Sequence, residues 1–194
     1  MSLDRGENQK PTGGRVEPLL DDLIQASSYP RLLGTAFLDR CSPPIRRIWD
    51  YWDSRRGDQP LPGRRDIDPL SIPADLLPGI MLTEVLREPP WLRYRLVGTA
   101  QVALRGRDPT GQPVAGNYMG AHLGVKPDET MLNYRIVIEK RVPVYTYNPV
   151  VGMAPDGSSL RQSPLRANSS LLMPLSSDGD SVDMVLCYSE LEAP

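Results

Sequence analysis

The sequence predicts an α+β fold: a five-stranded antiparallel sheet with its helices on one face, preceded by an N-terminal helical extension. Three observations carry this. Residues 80–86 and 91–97 are extended runs joined by Glu88-Pro89-Pro90, which reads as a hairpin. A second hairpin closes the chain, with strands over 165–175 and 182–189 around the turn Ser177-Asp178-Gly179-Asp180. Helical patterns precede the first hairpin and separate it from the second, an order that layers helices against a sheet.

Residues 1–18 are polar, with Gly and Pro and no hydrophobic period, and read as a disordered tail. The extension spans 19–41. Its stripe of Leu19, Leu20, Leu23 and Ile24 is too short to stand alone and must dock, on its own domain or on a second copy. The domain proper takes 42–194. Ser42 can cap a helix over 42–56, Pro43 suits its first position and Gly57 its end. Ile45, Ile48, Trp49 and Trp52 then share one face, opposite Arg46, Arg47, Asp50 and Asp53. The two tryptophans either pack on the sheet or mark an interface, as do Leu19, Leu20, Leu23 and Ile24. Recurring proline makes 58–78 an ordered connector in which Arg64, Arg65, Asp66 and Asp68 cluster.

The central stretch, 91–111, reads WLRYRLVGTAQVALRGRDPTG. Leu92, Tyr94 and Leu96 alternate with Arg93, Arg95 and Val97, the period of a strand with one buried face. Thr99 can cap a helical turn through Leu104, Gly106 suits its left-handed stop, and 108–111 forms a turn. Residues 111–125 are Gly-rich and carry Asn117, Tyr118, Met119 and His122. Asp128 and Glu129 open a longer helix that Lys140 and Arg141 close, each charge favourable to the helix dipole. Residues 142–151 are extended, with two prolines that favour a sheet edge, and 155–158 is a loop.

This order resembles a PAS domain. RYRLVGT followed by GRDPTG, the connector LPGRRDIDPLSIP and the closing LMPLSSDG resemble more narrowly the small stand-alone bacterial PAS-like proteins. The resemblance covers roughly residues 45–190. It implies a strand order of 2-1-5-4-3 and a cavity between the sheet and the helices of 99–141. By position in that fold, Tyr94, Leu96, Val102, Tyr118, His122, Met131, Tyr134 and Arg135 are candidate ligand-binding residues, although core packing alone explains most of them.

Composition narrows the function. A formal net charge of −2 gives no electrostatic case for nucleic acid or an anionic membrane. No apolar run reaches the ~20 residues of a membrane span, and the N-terminus lacks a signal core, so a cytoplasmic protein is expected. Cys41 and Cys187 stand far apart without metal-ligand or redox spacing. His122 is the single histidine, and neither a GxSxG elbow nor a phosphate loop is present. PAS domains that bind flavin or haem use a cysteine in an NCRF-like motif or a histidine on the longer helix. Neither stands here, so the cofactor is unknown, with His122 as a haem ligand left open. The expectation is a sensory and protein-interaction module of bacterial signalling without catalysis of its own. It would act through a partner such as a histidine kinase or regulator, or through a homodimer, with a small-molecule ligand possible. The alternatives are a small α+β enzyme using His122 or the Asp66/Asp68 pair, and a ligand-free adaptor.

Overall fold

A computed structural model describes residues 19–27, 29–117, 127–149 and 167–192. Its elements are α1 (Leu20–Ala26), β1 (Arg31–Leu33), α2 (Pro43–Arg56), β2 (Ile80–Val85), β3 (Leu92–Val97), α3 (Thr99–Arg105), α4 (Pro127–Lys140), β4 (Val144–Pro149), β5 (Ala167–Leu175) and β6 (Met184–Glu192). Three 3₁₀ turns, Arg64–Asp66, Pro69–Ser71 and Leu77–Gly79, punctuate the connector between α2 and β2. The tail at 1–18 and the loop at 155–158 lie outside the described residues.

The α+β class holds. All strand pairs are antiparallel, in the order β1-β4-β5-β6-β2-β3. Setting β1 aside leaves the expected 2-1-5-4-3. Both hairpins are present as read. The sixth strand was not foreseen, and it corrects the edge position expected for 142–151. β1 pairs Arg31, Leu32 and Leu33 with Thr146, Tyr145 and Val144, so β4 is bonded on both sides. Three residues are too short for a period-2 signal.

The placement of the helices is also corrected, because they cover both faces of the sheet. Register puts Met81, Thr83, Tyr94, Cys187, Leu172 and Thr146 on one face, which α3 and α4 cover; the Tyr134 hydroxyl of α4 lies 3.1 Å from that of Thr83. The opposite face carries Tyr145, Leu171, Leu186 and Tyr188 and meets α2. There Phe37 stacks on Tyr145 and sets its edge against Trp49, whose ring centroid lies 5.1 Å from that of Trp52. The Trp52 indole N–H donates to Pro174 O at 3.1 Å. Burial on both faces explains why β5 and β6 are apolar on successive residues.

Local signals work as their chemistry requires. The Ser42 hydroxyl accepts from Ile45 N, Pro43 opens α2, and Gly57 follows it at φ 54°. One cap shifts by a residue: Thr99 is the first residue of α3 and Gly98 the cap. Glycine is required there, since a Cβ would lie 2.6 Å from Leu77 O and closer still to Pro78 O.

Candidate functional site

The site begins with α3. Gly98 N donates to Ile80 O at 2.7 Å, which starts the helix hard against β2. Gln101 and Arg105, one turn apart, then face the sheet. The Gln101 amide donates to Ser189 O at 2.9 Å and so pins α3 to β6. Gly106, at φ 66° and ψ 6°, ends the helix in the left-handed cap expected of it.

Between α3, α4 and the sheet lies a cavity of about 70 Å³, whose described lining includes Tyr94, Arg105, Asn133, Tyr134, Thr146, Asn168, Ser170, Cys187 and Ser189. It is a polar cavity inside an apolar fold. Strand alternation produces it: Asn168 and Ser170 on β5, Thr146 on β4, and Cys187 and Ser189 on β6 all point to the α3/α4 face. Ser189 Oγ bonds both Ser170 Oγ at 2.8 Å and Asn168 Oδ1 at 3.0 Å.

Arg105 is 9% exposed. Its Nε donates to Asn117 O at 3.1 Å, and its Nη1 to Gln101 O at 2.8 Å and Gln101 Oε1 at 3.1 Å. Its Nη2 contacts Met81 Sδ at 3.4 Å, and the guanidinium lies 5.6 Å from the centre of the Tyr94 ring. Burial pushes the Cys187 thiol up to about 12, and the Arg105 charge opposes that only in part. Burial also raises the phenols of Tyr94 and, much further, Tyr134. Near neutral pH these groups are uncharged, so the described lining offers one fixed cation, hydroxyls and amides. This is chemistry for holding a ligand.

Only some of the expected site residues gather here. Tyr94 and Tyr134 line the cavity. Met131 and Arg135 instead line a separate, open and mostly apolar groove of about 770 Å³ between α1, α4 and the β2–β3 hairpin, where Leu23, Trp91 and Leu132 also lie. Arg135 pairs there with Glu139 at 2.5 Å. Val102 is half-buried against the core. Leu96 is a correction: it is 40% exposed and off the cavity face. The register steps from Leu82↔Leu96 to Thr83↔Tyr94, leaving Arg95 as the extra residue of a bulge that reverses the alternation after it. Tyr118 and His122 lie outside the described residues.

The candidate interface residues divide as well. Trp49 and Trp52, 8% and 3% exposed, belong to the core, the packing alternative of the two offered and not the interface one. Leu20 is buried, Leu23 and Ile24 are half-buried, and Leu19 is 73% exposed. Asp66 and Asp68 sit on the surface as turn caps. Asp66 accepts from Gly63 N, and Asp68 from Leu70 N and the Ser71 hydroxyl, bonds that hold the Asp68 carboxyl below its usual range. They do not meet in a cavity as the enzyme alternative requires.

Sequence reasoning missed Arg105, Asn133, Thr146, Asn168, Ser170, Cys187 and Ser189 as cavity residues. The signal that could have found them is the polar run Asn168-Ser169-Ser170, with Thr146 and Ser189, in otherwise apolar strands, together with the Gln101–Arg105 spacing on a short helix. No helix among the described residues is long and apolar enough to cross a membrane.

Comparison with known proteins places this architecture. The sequence model of the PAS domain family matches residues 40–188. No curated protein matches the chain significantly. A solved structure titled "Structure of an RNA-binding Light-Oxygen-Voltage Receptor" is similar at 19% identity and a TM-score of 0.41, over 64% of this chain and 35% of that one.

Proposed function

Because the chain belongs to the PAS domain family, we propose that it is a sensory and protein-interaction module of a signalling system, cytoplasmic and without catalytic activity of its own. The observation that carries this reading is the polar cavity between the sheet and α3/α4. The lining comes from two helices and five strands, so the binding energy of a ligand there can bias one packing of α3 and α4 over another. The altered helix surface is then read by a partner, such as a histidine kinase or regulator, or by a second copy of the chain.

The test is native against denaturing mass spectrometry of freshly purified protein, with an absorption spectrum beside it. The expected result is an additional mass that leaves on denaturation. A single unliganded mass under both conditions, with a flat visible spectrum, would exclude a tightly held ligand and, where no weakly held one stabilises the protein either, favour an adaptor, for which partner capture is the next measurement.

A further inference from the structure

Arg105 poses a physical problem that the packing alone does not solve. Taking a guanidinium out of water is costly unless an opposite charge or a full set of acceptors replaces the water. Three carbonyl-type oxygens accept from Nε and Nη1, but they are neutral. Beyond these the guanidinium meets only neutral groups among the described residues, the Met81 thioether at Nη2, a weak acceptor, and the Tyr94 hydroxyl. Among the described residues no carboxylate touches Arg105, and it is the one ionised group of the cavity lining. The stretch that follows Asn117, YMGAHLGVK, contains no acid.

The rest of the lining agrees. The Tyr94 and Tyr134 phenols and the Cys187 thiol are held in their protonated, uncharged forms by burial. Asn133, Thr146 and Ser170 add short polar arms without charge. Such a set repels no anion and can donate to one. About 70 Å³ is the room of roughly two waters, which a planar anion of a few heavy atoms fills and a flavin or haem does not.

We propose that this cavity binds a small monovalent oxyanion of the carboxylate, bicarbonate or nitrate class, held by the Nη2 edge of Arg105. The anion supplies the charge that the fold withholds. Arg105 also grips the Gln101 and Asn117 carbonyls, so occupancy is reported to both ends of α3 and to the chain leaving it. The assignment rests on the sensory reading of the same cavity and names its ligand class.

Formate is the probe, with the full chain throughout. Affinity per heavy atom has a ceiling that puts half-saturation on the order of 1 mM or above. At constant ionic strength, formate replacing chloride is expected to raise the Tm saturably, by about 3–5 °C at ten times half-saturation. Arg105→Met is expected to abolish the shift and Arg105→Lys to keep part of it, with circular dichroism confirming that both fold. A measurement needing no variant stands beside this: nuclear Overhauser transfer from the formate proton to the Tyr94 and Tyr134 ring protons in the unaltered protein.

Absence of a saturable shift, an equal shift in Arg105→Met, or absence of that transfer would overturn the anion assignment. A neutral mass retained in native spectra of both the unaltered protein and Arg105→Met would also overturn it, while leaving the sensory reading in place. If no mass is retained and formate has no effect, both readings fail together.

Discussion

At the scale of single residues, the fold depends on positions where a side chain has no room or no water. Gly98 is the first kind. Gly98→Ala forces a methyl group into the carbonyls of Leu77 and Pro78, so the start of α3 must move. The expected loss is about 3 kcal/mol in urea unfolding. Gly106→Ala is the control, because its Cβ meets nothing within 4 Å and its cost is the left-handed backbone alone, about 1–2 kcal/mol. Equal losses at the two sites would refute the steric account.

Cys187 is the second kind. Its thiol ionises near 9 in the unfolded chain and is pushed up to about 12 by burial. The folded state therefore holds the proton more tightly. Its contribution is full below about pH 9 and is lost as pH rises through about 12, with Tyr94 and Tyr134 adding in the same direction. Stability measured between about pH 8 and about pH 11 should fall, and Cys187→Ala should reduce the slope by up to about 1.4 kcal/mol per pH unit. An unchanged slope would mean that Cys187 is more accessible than its packing indicates.

Between elements, the joint that organises the N-terminal part is polar. Arg31 of β1 donates through Nη2 to Glu129 and through Nε to Asn133 Oδ1 at 2.5 Å, both on α4, and through Nη1 to Ser27 Oγ at 2.7 Å. The Arg31 side chain is 5% exposed. Arg31→Leu removes the Arg31–Glu129 ion pair and the bonds to Asn133 and Ser27 from a partly buried site and should cost about 3–5 kcal/mol in chemical denaturation. The double variant Arg31→Leu/Glu129→Gln should recover part of that loss, and no recovery would show that packing rather than charge holds the joint.

Within the elements themselves, much was legible. Ser42, Pro43 and Gly57 bound α2 because caps act within a few residues of where they are written. Leu96 was misplaced by the same logic. Period-2 alternation assumes that every residue has a partner, and the bulge at Arg95 is set by how β3 meets β2.

For the whole molecule, the N-terminal segment ceases to be an appendage. β1 extends the sheet, and Phe37 is fully buried between Tyr145 and Trp49, so removing residues 1–40 would take away part of the core. A surface substitution is the sounder probe of assembly through α1. If the exposed Leu19 contributes to a dimer, Leu19→Asp should lower the mass measured by light scattering with the Tm unchanged. A mass unaffected by the substitution would remove α1 from any interface.

The candidate site was legible in a different degree from the fold. Tyr94 and Tyr134 could be reached from the order of elements, because the fold places the strand and the longer helix on either side of a cavity. Arg105 could not. In the sequence it reads as the basic last turn of a short helix, an ordinary favourable charge. Sequence by itself determined the class, the hairpins and the caps of α2, since these follow from local period, turn chemistry and chain connectivity, while the order of five strands came from the family resemblance. Tertiary structure decided which faces are covered, that the tryptophans are core, and that Arg105 is buried with no carboxylate beside it among the described residues. Those outcomes depend on which distant segments meet, and burial makes a side chain's charge costly only after they have met.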